Sequence, residues 1–147
     1  SQIIPSTTNC HQYDRRKAPR TRDAAMSTSG GRVLVRPERL RRLTASLLES
    51  AGSSSTEAAA VASNLVASNL CGHDSHGVGY LPEYLRTAVE GRLVVNQTPL
   101  VVLDAGPLVV VDGRRGYGQV MAAFAMERGI ARAKEIGACV VSVRNSH

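Results

Sequence analysis

Glycine residues end the apolar segments of this sequence, and their spacing restricts the fold more than any other feature. Gly52, Gly72, Gly91 and Gly137 each follow a stretch that has apolar residues at helical spacing. Glycine is favoured just beyond the end of a helix because it adopts the left-handed conformation without steric cost. The four glycines therefore predict four helices, three in the first part of the chain and one near its end.

Start signals precede the first three of these helices. Pro37 suits a first helical turn, where its missing N–H would be unpaired in any case. Ser54 and Glu57 form a capping-box pattern that opens the second helix, and Pro82 starts the third. The predicted apolar stripe of the first helix consists of Leu40, Leu43, Leu47, Leu48 and Ala51. The predicted inner face of the second consists of Ala58, Val61, Ala62, Leu65 and Val66.

Runs rich in β-branched residues occupy the second part of the chain. Residues 100–103 and 108–111 are separated by Asp-Ala-Gly-Pro, which predicts a hairpin. A helical pattern covers 118–136, and residues 139–143 read as a final buried strand. Helices followed by a hairpin, a helix and a strand predict an α/β (α+β) fold.

The composition is that of a soluble globular domain. The chain has 147 residues, of which 43% are hydrophobic and 20% charged, and no apolar run is long enough to span a membrane. Three widely spaced cysteines do not suggest a disulfide framework, so we expect a cytoplasmic protein. With only 3% aromatic residues, a stacking surface for single-stranded nucleic acid is not expected.

The first 32 residues form a basic leader that we expect to be disordered. They contain six basic and two acidic residues and show no apolar periodicity. A nucleic-acid-binding arm is one interpretation; a start of translation at Met26 is the one we favour. At the other end, the chain stops directly after an apolar run that reads as a core strand, which predicts an N-terminal fragment.

A polar loop between the second and third helices holds most of the reactive side chains. Cys-Gly-His-Asp-Ser-His-Gly at 71–77 permits three interpretations. His73 and His76 could share a metal ion with Asp74 or Cys71, although the spacing fits no standard zinc pattern, so we expect no metal. The loop could be purely structural, which we favour for His73. His76 could be an acid–base catalyst, because imidazole titrates near neutral pH.

Three motifs in a fixed order decide between these interpretations. They are His-Asp-Ser-His-Gly-Val-Gly-Tyr-Leu-Pro-Glu-Tyr at 73–84, Val-Asp-Gly-Arg-Arg-Gly-Tyr-Gly-Gln at 111–119 and Val-Arg-Asn-Ser-His at 143–147. Together they resemble the malate/L-lactate dehydrogenase family of NAD(P)-dependent 2-hydroxyacid oxidoreductases, most of all its hydroxycarboxylate dehydrogenase branch. The family is not of the Rossmann type, and the chain agrees: Met121 stands where G-x-G-x-x-G needs its third glycine.

The resemblance implies roles for particular residues. His76 matches the family's proton donor and Ser75 an active-site hydroxyl. Tyr84 matches a tyrosine near the substrate, although core packing explains it equally well. Asn145 and Ser146 match the start of a further site motif, whose invariant histidine would follow His147. Many members have an arginine at the position of Tyr80, which leaves recognition of the substrate carboxylate unassigned; Arg86 and Arg144 are candidates.

The resemblance also implies the organisation of the chain. Residues 33–92 would be a helical segment with the active-site loop, and 93–147 the truncated start of a cofactor- and substrate-binding domain with a mixed sheet. The cofactor would be NAD or NADP, with NADH favoured, and most of its contacts would lie beyond residue 147. The partners would be a small 2-keto or 2-hydroxy acid and, in a complete homodimer, a second copy.

The predicted activity is reversible hydride transfer between NAD(P)H and a 2-ketoacid. We expect the 147-residue chain alone to be inactive, because it lacks most of that cofactor site. The alternative is a catalytically inactive, degenerate relative or a binding module whose basic leader contacts nucleic acid. Arg39, Arg41 and Arg42 are the one basic cluster in the body, and we expect them on the solvated face of the first helix.

Overall fold

The structure, a computed structural model, describes residues 28–29 and 32–147. Two short strands, β1 (Thr28–Ser29) and β2 (Arg32–Val33), pair in antiparallel fashion where the leader was expected to end. The rest of the predicted leader, including Met26, lies outside the described residues.

Two helices follow, and both begin where their start signals predict. The first, α1, covers Pro37–Ser50 with the proline in its first turn, and α2 covers Ser55–Leu70. The Oγ of Ser54 accepts a hydrogen bond from the backbone N–H of Glu57 at 3.3 Å, which is one half of the capping box. The other half is not formed, because the Glu57 carboxylate accepts the backbone N–H of Asn96 instead.

A third helix, α3 (Leu81–Val89), packs with the first two, and the later elements form one mixed sheet with a helix packed on it. These later elements are β3 (Leu100–Ala105), β4 (Leu108–Asp112), α4 (Gly118–Ile136) and β5 (Val140–Arg144). The strand order is β3-β4-β5, in which β3 and β4 form the antiparallel hairpin and β5 lies parallel to β4. A parallel pair needs a crossover, and α4 provides it. The predicted α/β fold class is confirmed.

The hydrophobic core has two parts. One lies among the first three helices, and its buried members are Leu48, Ala58, Val61, Ala62, Leu65, Leu81, Tyr84, Leu93 and Tyr117. The other lies between α4 and the sheet, with Val109, Val111 and Ala125 buried there. The predicted stripe of α1 is wrong at Leu43 and Leu47, which are 56% and 40% exposed, because the side of α1 that is buried carries Thr44 and Leu48.

Tyr117 joins the two parts of the chain. It immediately precedes α4, yet its side chain is fully buried in the helical core. The backbone N–H of Val94 also donates to the carbonyl of Arg115 at 3.0 Å. These contacts fix the N-terminal end of α4 against α2 and α3. No helix among residues 32–147 combines the length and the apolar character needed to cross a membrane.

Candidate active site

A cavity of about 410 Å³ lies where α2, α3 and the N-terminal end of α4 meet. Its lining residues are Asn64, Ser75, His76, Tyr80, Tyr84, Gly118, Gln119 and His147. The cavity therefore collects three of the five predicted site residues, Ser75, His76 and Tyr84. None of its lining residues is a lysine or an arginine.

Asn69, near the end of α2, holds the loop that carries Ser75 and His76. Its Nδ2 donates to Oδ1 of Asp74 at 2.6 Å, and its Oδ1 accepts the backbone N–H of Val78 at 2.8 Å. The loop folds as two short 3-10 turns, Asp74–His76 and Val78–Tyr80. The sequence interpretation missed Asn69, because an asparagine inside a helix gives no signal of a contact nine residues ahead.

The two proposed catalytic groups contact each other. The Ser75 Oγ lies 3.0 Å from Nδ1 of His76, within hydrogen-bond distance, and both side chains are exposed to the cavity or the solvent. When the serine hydroxyl donates to Nδ1, the proton of a neutral imidazole is on Nε2. This arrangement leaves an N–H of His76 free to donate to a ligand. His73 does not line the cavity.

Aromatic rings form one wall of the cavity around Tyr84. This residue is 7% exposed and makes edge-to-face contacts with Tyr80 and Tyr117, at centroid distances of 5.0 and 5.3 Å. The ring of His147 lies 6.1 Å away in a similar orientation. Burial raises the pKa of the Tyr84 hydroxyl above its usual value. Tyr84 is thus both a core residue and a wall of the cavity.

The entry to α4 supplies a further part of the cavity lining, Gly118 and Gln119. The Nε2 of Gln119 donates to the Tyr84 hydroxyl at 2.6 Å, while Oε1 of Gln119 is buried without a hydrogen-bond partner in the described chain. The backbone of His147 is held by Gly116 and Gly118, at 3.0 and 3.1 Å. The glycine-rich stretch forms a turn and the entry to α4. Gln119 was not recognised as a site residue, since its partner lies 35 residues away.

Asn145 and Ser146 lie outside this cavity. The Nδ2 of Asn145 donates to Oδ2 of Asp112 at 2.9 Å. Asn145 lines a second cavity of about 500 Å³ together with Arg114 and Arg115. The side chain of Ser146 lies near Gly113. Their predicted substrate contacts stay predictions.

Asp112 organises the turn after β4. Its carboxylate accepts the backbone N–H of Arg114 at 2.9 Å and the Nε of Arg144 at 3.0 Å. These bonds lower the pKa of Asp112 below its usual value, with the backbone N–H of Arg114 contributing most. Arg144 is therefore engaged with Asp112, and Arg86 binds Glu83 and Glu90. Neither arginine lines the candidate cavity.

The metal-site interpretation has no geometric support in the described ranges. Among residues 28–29 and 32–147, no group of three or more histidine, cysteine, aspartate or glutamate side chains is placed to hold an ion. The Asp74 carboxylate is used to accept from Asn69. The side-chain chemistry of the cavity lining is that of two imidazoles (His76 and His147), hydroxyl groups and amides.

Comparison with known proteins gives a consistent family. The family model described as malate/L-lactate dehydrogenase matches residues 35–147. Hydroxycarboxylate dehydrogenase B of Escherichia coli is 46% identical over 65% of this chain and 27% of its own length. L-sulfolactate dehydrogenase of Methanocaldococcus jannaschii is 31% identical over 78% of this chain and 33% of its own length.

Solved structures agree with the sequence relatives. A putative malate/lactate dehydrogenase from E. coli matches with a TM-score of 0.73 and 40% identity, covering 76% of this chain and 31% of that one. Malate dehydrogenase from Pyrococcus horikoshii matches with a TM-score of 0.73 and 32% identity, covering 77% and 32%. The chain spans about a third or less of the length of these relatives.

Proposed function

The chain belongs to the malate/L-lactate dehydrogenase family, and from this membership we propose that it forms part of an oxidoreductase. The proposed reaction transfers a hydride between NAD(P)H and a 2-ketoacid or 2-hydroxyacid. The observation that carries the proposal is the pair of Ser75 and His76, which lie in hydrogen-bond contact at the wall of the cavity.

His76 has the properties that the proton transfer needs. A ketone that accepts a hydride becomes an alkoxide-like oxygen, which must receive a proton. With Ser75 donating to Nδ1, the Nε2–H of His76 is available to donate to that oxygen and can recover the proton in the reverse reaction. We propose His76 as the general acid and base, and Ser75 as the group that orients it or binds the substrate.

The size and lining of the cavity support its use for the reactive end of a nicotinamide cofactor. A volume of about 410 Å³ lies within the usual range for small-ligand sites. The carboxamide of a nicotinamide needs neutral donors and acceptors, and the cavity wall carries the side-chain amide of Asn64. When bound, the cofactor would supply the hydride. The preference for NADH over NADPH stays a prediction.

Two segments of the chain build the proposed site together. The helical segment at 33–92 brings Ser75, His76 and Tyr84, and the segment at 93–147 brings Gln119 and His147. Tyr84 is the proposed substrate contact that lines the cavity. Assembly as a homodimer and a cytoplasmic location stay predictions from the sequence.

The test of this function is a comparison of two histidine variants. In the complete encoded polypeptide, His76→Asn should lower the rate of 2-ketoacid-dependent NADH oxidation by about 10²–10⁴-fold, as expected for loss of a general acid. Binding of NADH, followed by its fluorescence, should remain. The matched control is His73→Asn, since His73 lies in the same loop and does not line the cavity. Unchanged turnover in His76→Asn would refute the assignment.

The polypeptide for this test must first be defined. The chain covers about a third of its relatives, so we propose reading the coding DNA past the codon for His147. An open frame that continues with His, then Ile or Phe, then Gly would supply the family motif that starts at Asn145. An immediate stop codon would instead favour the inactive relative or the binding module.

A further inference from the structure

We propose that Gln119 is a positioning residue, which holds the Tyr84 hydroxyl so that its proton is directed at a ligand carboxylate in the cavity. This inference rests on the proposed function, because it assigns the carboxylate recognition that the reaction requires. The cavity wall has no lysine or arginine for that purpose.

The direction of one hydrogen bond carries the argument. A tyrosine hydroxyl has a single proton and can also accept hydrogen bonds through its oxygen. Because Nε2 of Gln119 donates to the Tyr84 oxygen at 2.6 Å, this contact uses a lone pair and leaves the phenolic proton unused. Within the described residues, Gln119 is the only hydrogen-bond partner of that hydroxyl. A ligand acceptor can therefore take the Tyr84 proton.

The other end of the Gln119 amide supports a functional role. Its Oε1 is buried and has no hydrogen-bond partner in the part of the chain that is described. Buried acceptors without a partner are uncommon and destabilising, so each one needs an explanation. The Gln119 amide thus leaves one buried acceptor unpaired while its Nε2 donates to the Tyr84 hydroxyl. This is expected if the orientation of Tyr84 matters for the site.

Burial prepares Tyr84 for the role of a donor. The side chain is enclosed by the rings of Tyr80, Tyr117 and His147, which restrict its movement. The pKa of Tyr84 is raised by the same burial, so the phenol keeps its proton at neutral pH. A neutral donor in a partly dehydrated wall forms a strong hydrogen bond with a carboxylate.

Two substitutions at position 119 separate positioning from packing. Gln119→Glu keeps the shape but provides only acceptors when ionised, so the Tyr84 proton would be drawn to the introduced carboxylate. Gln119→Met keeps the volume and removes both hydrogen-bonding groups. If Gln119 merely anchored α4 to α3, both variants would lose stability and ligand affinity together.

The experiment measures binding of oxamate, a non-reducible carboxylate analogue of a 2-ketoacid, to the complete encoded polypeptide by calorimetry, with and without NADH. Gln119→Glu should raise the Kd roughly tenfold to a hundredfold, the range for a hydrogen bond to a charged group, and Gln119→Met should raise it less. Gln97→Glu is the matched control, since Gln97 lines the second cavity, and its Kd should be unchanged. Equal effects of the two Gln119 variants, in parallel with their losses of thermal stability, would overturn the proposal.

A coupling measurement completes the test. Tyr84→Phe should weaken oxamate binding about as much as Gln119→Glu, and combining the two should add little, since both remove the same donated proton. In steady-state kinetics Gln119→Glu should raise KM more than it lowers kcat. Effects that multiply would overturn the proposal, as would a wild-type protein that binds no oxamate. A wild type that binds oxamate yet oxidises no NADH would refute the proposed function. The ranking of the variants by their Kd for oxamate would still decide the role of Gln119.

Discussion

The backbone of Gly77 packs directly against the side-chain amide of Asn69, so that a β-carbon at position 77 would overlap that amide. The same amide donates a hydrogen bond to the Asp74 carboxylate and accepts one from the backbone N–H of Val78. Gly77 lies at an ordinary negative φ of −90°. The glycine is therefore required by the close approach of Asn69, and this approach sets the position of the loop that carries His76.

Replacing Gly77 with alanine should displace this loop. We expect Gly77→Ala to lower the free energy of unfolding by about 1–3 kcal/mol, the usual cost of overpacking, and to reduce turnover of the complete polypeptide. Thermal unfolding and NADH oxidation measure the two effects. Gly79→Ala is the control two residues away, because the nearest atom to its β-carbon would be 3.9 Å distant. Equal behaviour of the two variants would refute the packing argument.

The contact between Ser75 and His76 leads to a kinetic prediction. Loss of one hydrogen bond is worth about 1 kcal/mol, so Ser75→Ala should lower kcat by roughly fivefold to tenfold. Ser75→Thr, which keeps the hydroxyl, should recover most of the rate, and NADH binding should be the same in all three proteins. If Ser75→Ala retains full kcat while KM rises, Ser75 binds substrate and does not orient His76.

Local signals explain how much of the fold was predictable. The helix over 118–136 is predicted by its helical pattern and by the terminating glycine, Gly137, which lies at φ 93° in the structure. The position of β5 next to β4 and not next to β3 was not predicted, since strand order depends on the whole path of the chain. The exposure of Leu43 was missed for a similar reason: the neighbouring helix, and not the stripe alone, selects the buried side.

The candidate site shows the same contrast between local sequence signals and long-range contacts. Ser75 and His76 were found because one short segment contains both. Gln119 and Tyr84 are 35 residues apart, and no periodicity reports a hydrogen bond between them. Asn145 belongs to a local motif that predicts a substrate contact, whereas its hydrogen bond to Asp112, 33 residues earlier, and its place in the lining of the second cavity could not be read from that motif.

Asp112 should make the stability of the protein depend on acid pH. Its pKa is lowered in the folded chain, chiefly by the backbone N–H of Arg114. A lowered pKa means that the ionised Asp112 carboxylate stabilises the folded chain fully above the unfolded pKa of about 4. This stabilisation is lost as the pH falls through the folded pKa. Between about pH 6 and pH 3, the Tm of Asp112→Asn should therefore fall less than that of the wild type.

The control for this pH dependence is Glu38→Gln. The Glu38 side chain is 75% exposed in α1 and lies 3.8 Å from Arg41, a weak surface contact. The Tm of Glu38→Gln should change with pH in the same way as the Tm of the wild type. Identical slopes for Asp112→Asn and the wild type would show that the turn after β4 does not depend on the charge of Asp112.

Gly129 sets how closely α4 approaches β5. A β-carbon at this position would overlap the side chain of Val141. Alanine favours a helix over glycine by about 1 kcal/mol, but overpacking costs about 1–3 kcal/mol, so Gly129→Ala should be destabilised on balance. Val141→Ala removes the overlapping methyl groups, so the double variant should be more stable than the sum of the single effects predicts. Urea unfolding of the four proteins measures this coupling, and a Gly129→Ala protein that is more stable than the wild type would contradict the close approach of α4 to β5.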